Sequence, residues 1–162
     1  MIQRIQSLLL FVAAVISVVV CFINVGHIDG LVGTEMTQFY QFDAFTLKDV
    51  ETSTTAMSTT YIALLWIASA ILSMVTIFLY KNRPLQVKLN GVNMLVMLAA
   101  LVVMLYVYPN FVFERRGYVP EGMVVNFNYW ICLSLIPAIC LVVANHAIKR
   151  DERKVRAADR LR

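Results

Sequence analysis

Four stretches of this chain lack any Asp, Glu, Lys or Arg: Ser7–Val25, Tyr61–Tyr80, Val92–Tyr108 and Phe127–Ile148. Ionisable side chains inside a membrane mark proton and ion pathways, so their absence argues against proton-coupled transport. Ser17, Ser73, Thr76, Asn93, Ser134 and Asn145 lie in these runs; they can bridge helices but cannot relay protons. Cysteine is scarce. Cys21, Cys132 and Cys140 all fall inside the runs and no C-x-x-C occurs, which excludes the vicinal thiols of a membrane thiol oxidoreductase. Small buried hydrophobes are the default reading for all three, with a Cys21–Cys132 bridge the lesser one. Only two histidines occur, His27 and His146. They are expected at opposite ends of the spans, so they cannot share a haem or metal, and neither has an acid cluster beside it. Ser–His–acid sets, paired carboxylates, phosphate loops and metal-ligand spacings are missing as well. No catalytic residue, cofactor or metal ligand is therefore expected, and the chain reads as a non-enzyme. Ile2 excludes N-myristoylation.

What is present is apolar length. The chain is 60% hydrophobic and 15% charged, where a soluble domain has about half and about a quarter. A hydrocarbon core of about 30 Å takes roughly 20 apolar residues as a helix, and the runs hold 19, 20, 17 and 22. Helices are the expected form, because lipid offers no partner to a backbone polar group. The third helix is expected to start at Pro84, since proline suits a first helical position. The first run is too long for a signal-peptide core and has no cleavage pattern, so it reads as an uncleaved span. The expected fold is an all-α membrane protein: a four-transmembrane-helix bundle with a small β sheet formed by the outer loops and a helical C-terminal extension. One domain covers residues 1–162, with spans of about 7–25, 61–80, 84–108 and 127–148, outer loops 26–60 and 109–126, and a tail 149–162.

Charges between the runs set an orientation. Loop 26–60 carries Asp29, Glu35, Asp43, Asp49 and Glu51 against Lys48 alone. Segment 81–91 carries Lys81, Arg83 and Lys88 with no acid, loop 109–126 is neutral, and the tail holds seven cations against three acids. Lys and Arg in short flanks stay cytoplasmic, which places both termini and segment 81–91 on the cytoplasmic side. A high isoelectric point then reflects these flanks and not a nucleic-acid partner. Tyr61, Trp66, Tyr106, Tyr108, Tyr129 and Trp130 gather toward the outer ends, where a headgroup belt is expected. Ala13/Ser17, Ser69/Ser73 and Ala99–Ala100 mark close helix approaches. Pro137 is expected to kink the fourth span. Ser58, Thr59 and Thr60 offer N-caps for the second. Aromatic and β-branched residues over 36–47, 111–113 and 118–125 read as short strands joining the outer loops.

Three pieces resemble a known pattern: Met1-Ile-Gln-Arg-Ile-Gln-Ser-Leu, Lys81-Asn-Arg-Pro-Leu-Gln-Val-Lys-Leu and Lys154-Val-Arg-Ala-Ala-Asp-Arg-Leu-Arg162. With four runs at this spacing, the chain resembles the domain-of-unknown-function family 4293 of Bacteroidetes along its whole length. The resemblance implies an inner-membrane protein of a Gram-negative cell and brings no activity or cofactor. All three pieces share one property, a place on the expected cytoplasmic face. The tail has no Gly or Pro and should continue the fourth helix, with Glu152 and Arg156 as an i,i+4 pair. The leading reading is a scaffold or accessory subunit. Arg4, Lys81, Arg83, Lys88, Arg153, Arg156, Asp159, Arg160 and Arg162 would dock a membrane or cytoplasmic protein. Anionic lipid would help, at about 1 kcal/mol per cation near the surface. The alternative is a passive channel or small-solute or lipid transporter, whose hydrated path would be lined by Ser73, Thr76, Asn93 and Asn145.

Overall fold

The computed structural model describes residues 2–32, 35–80, 82–119 and 123–160. Helix α1 (Ile2–Val20) leads into strands β1 (Gly26–Val32), β2 (Glu35–Phe42), β3 (Thr46–Asp49) and β4 (Thr55–Ser58). Helix α2 (Thr60–Phe78) follows, then α3 (Arg83–Val102), which widens into a π-helical stretch, Val103–Phe113. Strand β5 (Met123–Phe127) and a 3-10 turn (Tyr129–Ser134) precede helix α4 (Leu135–Arg160). The strands form one antiparallel sheet in the order β4-β3-β2-β1-β5. Helix α1 packs against α2 and α4, and α3 closes the ring between them. Each strand-to-helix junction falls at the same end, so the sheet sits on one end of the helices and the α2–α3 turn at the other.

This architecture corrects the all-α expectation. The chain is four helices plus a sheet drawn from both outer loops, not a bundle of four transmembrane helices with a small annex. Among the described residues three helices are long and apolar enough to cross a membrane: Thr60–Phe78, Arg83–Phe113 and Tyr129–Asp151. The apolar part of α1, Ile5–Val20, is shorter. The sheet sets where α1 ends. The first apolar run continues to Val25, but the chain leaves the helix through tight turns at Cys21, Phe22 and Ile23. The Val25 N–H then donates to the Phe42 carbonyl at 3.0 Å, and the Val25 carbonyl accepts from Asn128 N–H at 3.1 Å. Tertiary pairing has taken the last residues of the run from the helix.

Two prolines sit where local chemistry tolerates them. Pro109 would clash with the carbonyl four residues back in an α-helix, and the wide π-helical turns that contain it avoid that contact. The helix therefore runs through the segment expected as loop, and Phe111–Phe113 is helical, not a strand. Pro137 lies in the first turn of α4, just past the 3-10 turn, where the backbone N–H has no partner within the helix. Asn82 caps α3 by accepting from Leu85 N–H at 3.4 Å, with Pro84 in the first turn. Thr59 precedes α2 but its hydroxyl donates to the Asp43 carbonyl instead of capping.

One face of the sheet is apolar and sealed against the helices. Ile28, Phe42, Leu47 and Phe113 are fully buried. Phe42 meets Phe113 edge-on at 5.2 Å and Phe127 at 6.2 Å. Tyr118 meets Tyr40 at 5.4 Å and donates to the Ala56 carbonyl at 2.8 Å. The helices show the reverse of a soluble protein's distribution. Gln6, Ser17, Ser69, Ser73, Thr76, Gln86, Asn90 and Asn93 are buried, while Leu64, Ile71, Leu95, Leu98 and Ile139 face outward. Polar groups inside and large aliphatics outside fit a membrane protein, where lipid is as apolar as leucine. Tyr61, Tyr106, Tyr129 and Trp130 are exposed near the sheet end. Trp66 and Tyr108, expected in the same belt, are buried in the core.

Candidate functional site

The helix end opposite the sheet gathers a set of exposed cations. Lys88 on α3 and Lys149, Arg150 and Arg153 on α4 are exposed, and the two salt bridges formed among the described residues include none of them. Helix α4 continues well past its apolar part, to Arg160. Arg83 opens α3 and is partly buried; its Nη1 is shielded from solvent and has no hydrogen-bond partner among the described residues. Gln6 of α1 donates to Asp151 Oδ2 of α4 at 2.7 Å, tying the first and last helices together here. The structure thus brings Arg83, Lys88 and Arg153 to one end. The backbones of Arg4, Arg156, Asp159 and Arg160 continue α1 and α4, but their side chains lie outside the described residues, as do Lys81 and Arg162.

Behind this end runs a buried polar seam. Arg83, Gln86, Asn90 and Asn93 recur every three to four residues on α3, so they share one face. Gln86 donates to the Thr76 carbonyl at 3.2 Å and Asn90 to the Leu141 carbonyl at 3.1 Å. Asn93 accepts from Ser69 at 2.7 Å and donates to Ser73 at 2.8 Å. Thr76 turns its hydroxyl onto the Leu72 carbonyl of its own helix at 2.6 Å. Every member from Gln86 to Asn93 is tied to a second helix, and all three residues of the Ser69–Asn93–Ser73 set are fully buried.

The family model described as "Domain of unknown function (DUF4293)" matches residues 2–161. The chain belongs to the DUF4293 family. No curated protein matches it. The match spans both ends of this DUF4293 chain, the sheet as well as the cationic helix end, and its description assigns no activity.

Sequence reasoning missed one cluster in the sheet. His27 and Asp29 stand two apart on the interior strand β1, and Asn126 of β5 is paired with His27. His27 Nε2 lies 3.2 Å from Asp29 Oδ2, which also accepts from Asn126 Nδ2 at 2.8 Å. Asp29 Oδ1 is buried without a hydrogen-bond partner among the described residues. The i,i+2 spacing is the signal that would have found the pair, had 26–32 been read as a strand and not as loop. His146, at the other end, is exposed and bonds the Val142 carbonyl through Nδ1 at 3.0 Å. Among the described residues no group of three or more His, Cys, Asp or Glu is placed to hold a metal. Cys21 and Cys140 are buried, Cys132 is exposed, and all three are free thiols.

Proposed function

We propose that this DUF4293 protein is a non-enzymatic membrane scaffold whose cationic helix end docks an acidic membrane or cytoplasmic protein, with anionic lipid assisting. The observation that carries the reading is the set Lys88, Lys149, Arg150 and Arg153, exposed at one end and in no ion pair among the described residues. Such charges attract an acidic surface over roughly a Debye length, about 8 Å at physiological salt. The continuous helix to Arg160 presents further basic residues of the same tail as a rod and not as a loose chain. The cationic end is the cytoplasmic one in this reading, and the membrane is the inner membrane. The passive-channel alternative gains no support from the seam: Asn93 and Ser73, which would line its path, are bonded to each other and fully buried.

Deleting residues 153–162 tests the docking. Affinity capture from solubilised membranes should recover the partners with the full chain, lose them with the truncated one, and lose them progressively as salt rises. Recovery of the same partners by both chains would sink the idea.

A further inference from the structure

The His27–Asp29–Asn126 cluster leaves a negative charge half answered. Asp29 is only 8% exposed, and a buried carboxylate needs partners for its oxygens. Both neighbours crowd onto one of them. Oδ2 lies 3.2 Å from His27 Nε2 and accepts from Asn126 Nδ2 at 2.8 Å. Oδ1 has no hydrogen-bond partner among the described residues and almost no surface that water can touch. A purely structural cluster gains most by spreading two donors over two oxygens. Water is too large to complete the set at Oδ1. A bare divalent cation is smaller than water, and bound cations are the largest local charges a site can hold.

The donor spacing suits such an ion. Ligands about 2.0–2.2 Å from a tetrahedral zinc stand about 3.3 Å from one another, and His27 Nε2 is 3.2 Å from Asp29 Oδ2. Imidazole and carboxylate are ordinary zinc ligands. Asn126 supplies a further donor by turning its amide over, which puts Oδ1 where Nδ2 stands. An amide oxygen that close to a carboxylate oxygen is repelled unless a cation lies between them, so the amide turns only with the metal. Strand register brings the three together: His27 pairs with Asn126, and Asp29 lies two residues along β1 on the same face. The set holds only two of the residue types that make up ordinary metal clusters, because its third member is an amide. We infer that His27, Asp29 through both oxygens, and Asn126 bind one zinc-like divalent cation. The ion fastens edge strand β5 to β1. Neither the docking reading nor the orientation of the molecule enters this assignment.

Calorimetric titration of zinc chloride into the full chain in detergent tests the site. The parent protein for it carries Cys132→Ser and His146→Gln, since an exposed thiol or imidazole holds zinc loosely by itself. One saturable ion per chain is expected. His27→Gln should weaken its binding at least tenfold. Asn126→Asp separates a metal site from a hydrogen-bonded cluster. Without metal it sets two carboxylates side by side and should lower Tm. Zinc should then bind it more tightly than the parent and raise its Tm by more. Cobalt(II) added to the parent gives a reading that needs no change at the site: visible d–d absorption, and X-ray absorption with one imidazole among the ligands. Hydrogen exchange in β1 and β5 should slow with zinc, while α2 and α3 stay as they were. The site is overturned by the absence of saturable uptake, by uptake that survives His27→Gln, or by an Asn126→Asp protein that zinc does not stabilise. The tail deletion removes none of these ligands, so partner docking and metal binding fail independently.

Discussion

Asn93 holds two hydroxyls at once. Its carbonyl oxygen accepts from Ser69 and its amide donates to Ser73, so one side chain on α3 ties two successive turns of α2. The set is fully buried, and lipid offers no replacement partner. Both serines have a fallback, since a helical serine can turn onto a carbonyl of its own helix. This limits the loss when Asn93 is removed. Interhelical bonds of this kind are worth about 0.6 kcal/mol on average and up to about 1.7. Asn93→Ala forfeits two of them and leaves a small void, so it should destabilise the fold by about 1–2 kcal/mol. Denaturant titration in micelles, followed by helical circular dichroism, reads the change. An unchanged midpoint would mean that the serines are already satisfied within α2. Asn90 differs, since its amide is bonded but its Oδ1 is buried with no partner among the described residues.

At the scale of elements, the sheet depends on one close approach. A Cβ on Gly26 would lie 2.5 Å from the Asn126 carbonyl oxygen and 2.9 Å from the Phe42 ring. The ring has limited room and the carbonyl oxygen belongs to strand β5, which pairs with β1 at this point. Gly26→Ala must therefore push β5 away or shift Phe42 within the core, and overpacking of this kind costs about 1–3 kcal/mol. Hydrogen exchange should show loss of protection in β1 and β5 while α2 and α3 keep theirs. Uniform protection in both proteins would refute the claim. This dependence was not legible in the sequence, and neither was β1, because Gly-His-Ile-Asp-Gly reads as turn composition. The strand exists because Phe42, Phe127 and Phe113 offer its apolar side a buried surface. The same contacts end α1 at Val20, five residues before the apolar run stops. By contrast α2 was legible to within two residues at each end, because its run has no competing partner. The buried polar positions Ser73, Thr76 and Asn93 were visible as residue types. Their pairing was not, since it depends on the antiparallel register of α2 and α3. The cationic end was legible from charge alone, and the Gln6–Asp151 tie across it needed the helices in place.

The whole molecule has two unlike ends, and the physics of the sheet fixes where one of them lies. Strands β4 and β5 are open edges, and an edge presents unpaired N–H and C=O groups. Hydrocarbon cannot satisfy them, so the sheet must stand outside the apolar layer. Asp29, Asp43, Asp49 and Glu51 lie on that side together with the exposed Lys48, Arg115 and Arg116, and the exposed Lys88, Lys149, Arg150 and Arg153 lie on the other with no exposed acid described beside them. In the proposed orientation, with Lys and Arg retained on the cytoplasmic side, the sheet faces outward. The β3–β4 turn is the place to test it. Glu51, Thr52, Ser53 and Thr54 are exposed, and Ser53 adopts φ 53° at the tip, so an insertion there disturbs little. Alkaline phosphatase inserted after Thr52 should be active, and green fluorescent protein fused after Arg162 should fluoresce. An inactive phosphatase together with a dark C-terminal fusion would invert the molecule, and the proposed docking surface would then face away from every cytoplasmic partner. Replacing Lys149, Arg150 and Arg153 with glutamine should weaken the bias, leaving a fraction of molecules with active phosphatase reduced in proportion to the charge removed. If that fraction does not move, these three cations do not set the orientation.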